Sequence, residues 1–182
     1  MIREDIRIND KLILSSLRKK DLPDLVNWMK DKKISENTLT IPFPYEKKDA
    51  EFFFHKIQNW EKEHGIKREW QIRLGDKMIG GLGLIYDSGI NSHMSKIGYW
   101  IGRAHRKKGI MTDVLKVFIR YIFNHRPELL RLEAHVFPDN IASQKVLEKA
   151  GFLREAYLKY YYKKQEEYKD AIQYVAFNTT IS

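Results

Sequence analysis

No cysteine occurs in the 182 residues. That absence excludes disulfides, zinc–thiolate centres and cysteine nucleophiles together, so any catalysis must use oxygen or nitrogen groups. Long apolar runs are missing as well. Nothing approaches the roughly 18 to 20 residues that span a bilayer, and the polar start Met1-Ile-Arg-Glu-Asp5 lacks the apolar region of a signal peptide. A cytoplasmic protein without membrane contact is the expectation. Acidic residues are in deficit, 24 Asp and Glu against 33 Lys and Arg, for a formal net charge of +9. The excess favours an acidic ligand or surface, such as a polyphosphate, nucleic acid or ribosome, or else is a solvated basic surface. Internal repeats, low-complexity tracts and linkers are lacking too, and this length suits one sizeable core, so residues 1–182 read as one α/β domain.

What is present alternates between two periodicities. Lys11 to Leu17 reads as a short strand, and Lys20 to Met29 as a helix with Leu22, Leu25, Val26 and Met29 at helical spacing and Asp21 as its N-cap. Ile41-Pro-Phe-Pro-Tyr45 cannot be helical, because its prolines restrict the backbone. A helix from about Lys48 to His64 carries Phe52, Phe53, Ile57 and Trp60 on one side and stops at Gly65. Three strands follow, Trp70–Leu74, Met78–Tyr86 and Lys96–Ile101. Then come a helix from about Thr112 to Asn124, a strand from Leu130 to Phe137, and a helix from Asn140 to Ala150 closed by Gly151. Two final strands run over 152–162 and 173–180. The strand–helix–strand order from Lys96 to Phe137 requires a crossover between parallel strands, so the sheet is mixed.

Two stretches carry chemistry. In the first, a strand ends near Ile101 and a tight turn bears Arg103, His105, Arg106, Lys107 and Lys108. A helix then begins near Thr112. Backbone N–H groups in such a turn, with the positive end of the helix, suit a phosphate, and Gly109 lets the backbone adopt unusual φ and approach a ligand closely. A solvated basic loop is the plainer alternative. In the second stretch, Asn140 stands at an N-cap position and Ser143 in the first helical turn, where both also serve structural roles.

Gly98-Tyr-Trp-Ile101, Arg106-Lys-Lys-Gly-Ile-Met-Thr-Asp113, Asn140-Ile-Ala-Ser143 and Glu148-Lys-Ala-Gly-Phe152 resemble, in this order, the sequential motifs of the GNAT acetyltransferase superfamily. Leu12-Ile-Leu14 through Asp21 and Ile41-Pro-Phe-Pro-Tyr45 extend the resemblance to its branch of ribosomal-protein N-terminal acetyltransferases. The resemblance implies a GNAT fold: a central, mixed, mostly antiparallel sheet with a splayed parallel pair in the middle, flanked by about four helices. It implies acetyl-CoA as cosubstrate and no metal. The cofactor would be held by Trp100, Ile101, Gly102, Arg106, Lys107, Lys108, Gly109, Ile110, Met111, Thr112 and Asn140. Ser143 would lie near its sulfur, where a hydroxyl can protonate the departing thiolate. The family's pyrophosphate loop reads Arg or Gln, two residues, Gly, one residue, then Gly or Ala. Here Arg106 and Gly109 match and Met111 departs.

The implied reaction is direct attack of a neutral amine on the thioester. Deprotonating an α-amine of pKa near 7.8 costs about 1 kcal/mol at pH 7, against about 4.6 kcal/mol for a lysine. An N-terminal amine therefore needs little help from a base, and the acceptor class most in keeping with the resemblance is a protein N-terminus, ribosomal proteins included. A polyamine, amino sugar or aminoglycoside is the runner-up, and a non-catalytic acetyl-CoA- or nucleic-acid-binding protein the alternative of another class. Nucleic-acid contact is not expected except through a ribosome, since the Arg103–Lys108 cluster holds no aromatic residue for stacking. A homodimer is compatible with the sequence. The aromatic loop around Phe43 and Tyr45 is expected to line the acceptor side. Many relatives carry glutamate as base where this chain has Lys96. Glu133 is the substitute candidate, or else an ion-pair partner for Arg131, and Glu155 and Glu69 are weaker candidates.

Overall fold

The computed structural model describes residues 5–179. Residues 1–4 at the polar start, and Thr180 at the end of the last expected strand, lie outside the described residues. The chain divides into two units: residues 1–84 with 99–108, and residues 85–98 with 109–182.

The first unit pairs β1 (Ile6–Arg7), β2 (Leu12–Ser15), β3 (Glu69–Leu74) and β4 (Lys77–Tyr86, of which 77–84 belong here) as antiparallel neighbours in that order. The two-residue β1 is too short to carry a periodicity, which is why the sequence does not announce it. Between β2 and β3 lie α1 (Leu22–Met29), α2 (Lys32–Glu36) and α3 (Lys47–His64). Helix α2, a single turn capped by Asp31 accepting from the Lys33 N–H at 3.1 Å, was not expected. It brings the α-helices among the described residues to five rather than about four. On α3 the inward residues are Ala50, Phe54 and Ile57, whereas Phe52 is exposed. Three consecutive phenylalanines span 200° of a helix, so they cannot share one face.

Asp21 does stand at the N-cap of α1, but its side chain makes no capping hydrogen bond to that helix. Its carboxylate instead accepts from both terminal nitrogens of Arg73 on β3, one at 3.0 Å, and from the Arg18 N–H at 2.8 Å. Arg73 is fully buried and also donates to Ser15 Oγ at 2.5 Å and to the carbonyls of Ser16 and Asp76, both at 3.3 Å. A buried guanidinium is tolerated because its donors are matched by acceptors and a counter-charge. Around α1 and α3 the core gathers Leu17, Leu25, Met29, Phe54, Ile57 and Met78. Tyr45 joins this core, and burial pushes its hydroxyl up to about 12. It therefore leaves the expected aromatic acceptor surface, while Phe43 stays exposed.

The second unit holds the start of β5 (Met94–Ile101), then α4 (Ile110–His125), β6 (Arg131–Val136), α5 (Ile141–Ala150), β7 (Leu153–Lys164) and β8 (Glu167–Phe177), with strand order β5-β6-β8-β7. The pair β5/β6 is parallel and the others antiparallel, as the crossover through α4 demands. The architecture is thus mixed and mostly antiparallel. The parallel ladder is only three pairs long and ends at Lys96↔Glu133, although β6 continues to Val136. Val114, Leu115, Phe118 and Ile122 of α4 are fully buried, with Leu132 and Ala134 on β6 and Leu147 on α5 also in the core. Tyr174 on β8 donates to Glu148 on α5 at 2.9 Å.

Candidate active site

In the first unit the site begins with glycines. Gly80, Gly81 and Gly83 on β4 leave space that side chains elsewhere would fill. A Cβ on Gly80 would stand 2.7 Å from the Trp100 carbonyl, and one on Gly81 would stand 2.9 Å from Trp100 Nε1 and 3.0 Å from Gln71 Oε1. One on Gly83 would meet the Glu69 carboxyl carbon at 2.7 Å. Gly102, whose N–H donates to the Ile79 carbonyl at 2.8 Å, would drive a Cβ into the Trp28 ring at 2.6 Å. Trp100 and Ile101 therefore lie close against β4 where Gly80 and Gly81 carry no side chain.

The basic turn continues from this strand end. Arg103–His105 form a single 3-10 turn, and Lys107 has φ +61°, unusual for a residue with a Cβ. Arg106 is tied down: its Nε donates to the Ile101 carbonyl at 3.1 Å and its terminal nitrogen pairs with Asp31 at 2.8 Å. Lys33, Arg103, Arg106 and Asp31 line a cavity of about 160 Å³, three cations to one carboxylate. A second cavity of about 200 Å³ is bounded by Trp28, Met78, Ile79 and His105. His105 packs edge-on to Trp28 with ring centres 5.6 Å apart, and burial together with Lys108 lowers its pKa.

In the second unit Gly109, at φ +77°, opens α4, which starts at Ile110 rather than near Thr112. The Asp113 N–H donates to the Gly109 carbonyl at 3.1 Å. Ile110, Met111 and Thr112 thus occupy the first turn, where N–H groups have no acceptor within the helix. The Met111 side chain is buried in the core, so the residue that departs from the family pattern turns its bulk inward. Asn140 caps α5, its Oδ1 accepting from the Ser143 N–H at 3.2 Å.

The acidic candidates fall into two environments. Arg131 donates to Glu133 at 2.6 Å and grips Glu155 with both terminal nitrogens, one at 2.9 Å, which holds the Glu155 carboxyl below its usual range. Glu133 also lies 3.4 Å from His135 Nε2, and His135 Nδ1 is 2.6 Å from the Tyr162 hydroxyl, itself pushed up to about 12 by burial. Lys96, in the position of the missing glutamate, pairs with Asp87 at 3.3 Å. Glu69, in the first unit, shows no ion pair or hydrogen bond among the described residues, and desolvation outweighs Arg68 and Lys56 to raise its carboxyl to about 8. Its environment could not be read from sequence. It depends on the register that sets Glu69 opposite Gly83.

Residues 11–153 match the model of the acetyltransferase (GNAT) domain. The chain is 41% identical over 80 residues to the probable N-acetyltransferase YjcK of Bacillus subtilis, a match covering 44% of each chain. The chain thus spans under half the length of this curated relative. Among solved structures, its fold is similar to RimL, a ribosomal L7/L12 α-N-protein acetyltransferase in complex with coenzyme A. That likeness has a TM-score of 0.83 at 20% identity and covers 96% of this chain and 98% of that one. It is also similar to the microcin C7 self-immunity acetyltransferase MccE in complex with acetyl-CoA and AMP, with a TM-score of 0.81, 20% identity and 93% and 94% covered. The left-handed Gly109 ahead of α4, the short parallel ladder and a domain match over most of the sequence have one common reading: this chain belongs to the GNAT acetyltransferase family.

Proposed function

We propose that the protein is an N-acetyltransferase, a single domain that moves an acetyl group from acetyl-CoA to a primary amine, most simply a protein N-terminal α-amine. What carries this reading is Gly109 at φ +77° opening a 16-residue helix, inside the segment that matches the domain. The first-turn N–H groups of Ile110, Met111 and Thr112 suit a pyrophosphate. In the first unit, Arg103, Arg106 and Lys33 add positive charge, Lys107 and Lys108 extend it, and the Trp100–Gly102 backbone is offered to the pantetheine arm. In the second unit, Asn140 is assigned to that arm and Ser143 to the thiolate.

The bound cofactor supplies an activated thioester. The chain's own groups would place it, stabilise the oxyanion with backbone N–H donors and return a proton to sulfur. The solved neighbours described as ribosomal-protein acetyltransferases support an N-terminal acceptor, ribosomal proteins included. The likeness to an acetyltransferase with another role, self-immunity, keeps acceptors other than ribosomal proteins, small amines among them, under test. The experiment is thiol release from acetyl-CoA, with mass spectrometry of the acceptor, over peptides with free N-terminal serine or alanine and a panel of small amines. Acetylated N-termini are expected. Acetyl-CoA binding with no thiol released to any amine would leave a binding protein in place of an enzyme.

A further inference from the structure

The strand β3 presents Glu69, Gln71 and Arg73 on one face, since side chains two apart point the same way. Arg73 is consumed by Asp21, Ser15 and two carbonyls. The other two are not. Gln71 is 2% exposed, and its Oε1 is buried with no donor. Glu69, half-buried, has neither ion pair nor hydrogen bond among the described residues, and Lys56 on α3 and the adjacent Arg68 are the charges that act on it. Both side chains occupy room cleared on β4, Gln71 over Gly81 and Glu69 over Gly83. Those glycines are two residues apart on one strand, about 7 Å.

A buried carbonyl oxygen without a donor and, about 7 Å along the strand, a half-buried carboxyl without an ion pair leave a place for a donor-rich group. A primary ammonium, with three N–H donors and no acceptor, fits such a pair. Trp100 Nε1 and Gln71 Oε1 converge on the missing Gly81 Cβ, which brings the polar pair to the strand segment assigned above to the pantetheine arm.

We propose that Glu69 and Gln71 bind the ammonium group of the acceptor and that Glu69 removes its proton. This rests on the acetyltransferase reading. Gln71 Oε1 accepts one N–H, and a second proton passes from nitrogen to a Glu69 carboxylate oxygen, freeing the lone pair. Nitrogen then bonds to the thioester carbonyl carbon. The carbon–sulfur bond breaks with its electron pair going to sulfur, and the proton lost from the acylated nitrogen leaves with the thiol. Glu69 returns its own proton to solvent. Burial, which raises the carboxyl, makes it a better base once ionised.

The test compares wild type, Glu69→Gln and Glu69→Asp with acetyl-CoA and a peptide bearing a free N-terminal alanine, reading kcat/KM by thiol release from about pH 6 to about pH 9. At pH 7, where most of the carboxyl is still protonated, Glu69→Gln is expected to lose about tenfold or more. The deficit should shrink as pH passes the α-amine pKa of about 7.8, where the amine frees itself. Glu69→Asp should recover part of the loss, and calorimetric acetyl-CoA affinity should be unchanged in both variants. A deficit constant across the pH range would mark Glu69 as structural and overturn the proposal, as would Glu69→Gln keeping pace with wild type. If the wild type itself releases no thiol, the acetyltransferase reading fails and this role with it. If only the variant comparison fails, that reading stands.

Discussion

Arg73 shows how one side chain can organise an element. Removing its counter-charge with Asp21→Ala leaves a buried guanidinium uncompensated, and a loss of about 3–5 kcal/mol is expected, read as a lowered urea midpoint. Replacing Arg73 and Asp21 together with apolar residues of similar volume should cost far less, since no buried charge remains. Glu69 makes stability depend on pH. Its carboxyl titrates near 4.5 unfolded and at about 8 folded. Between those values the folded chain holds the extra proton, so this group's stabilisation is complete below about pH 4.5 and is lost as pH rises through about 8. Glu69→Gln should therefore flatten the decline of Tm over that window and leave the variant more stable than wild type above pH 8, by up to a few kcal/mol. An unchanged slope would mean that the carboxyl is not desolvated.

At the scale of elements, the start of α4 matters most. Nothing stands within 4 Å of a Cβ added to Gly109, so the demand for glycine there is conformational rather than steric. Gly109→Val at φ +77° carries about 1–2 kcal/mol of strain. If the turn relieves this by shifting, acetyl-CoA affinity should fall about tenfold or more. Calorimetry showing equal affinity would remove the turn from the cofactor site. The glycines of β4 act differently, because each faces an atom of a neighbouring strand. Adding side chains there would press on Trp100, Gln71 or Glu69.

Over the whole molecule, the net charge of +9 matches an anionic cosubstrate, and binding should appear as stability. Acetyl-CoA at 100 times its Kd should add about 2.7 kcal/mol, or roughly 5–10 °C in Tm for a chain of this size. Calorimetric scanning checks this, and the shift should weaken with salt. No helix among the described residues is long and apolar enough to cross a membrane.

Local chemistry determined much of this from sequence alone. Gly65 and Gly151 end their helices at φ +67° and +99°, and Asn140 caps α5, because helix ends obey rules confined to a few residues. The parallel pair followed from chain order, since no short turn can join parallel strands. The sequence places the start of α4 near Thr112 and the structure at Ile110, because Ile110 and Met111 follow a left-handed glycine that looks like the interior of a turn.

What only tertiary structure decided is which charges meet. Asp21 and Arg73 lie 52 residues apart, and a cap residue and a buried ion-pair partner are the same letter until β3 is in register. Glu133, Glu155 and Glu69 are likewise the same letter, though their places along the chain favour Glu133. A guanidinium 24 residues from one of them claims two, and burial opposite Gly83 leaves the third desolvated. Sequence specifies which groups exist and where helices stop. Burial and pairing, which set how a carboxylate behaves, arise only when distant segments close on each other.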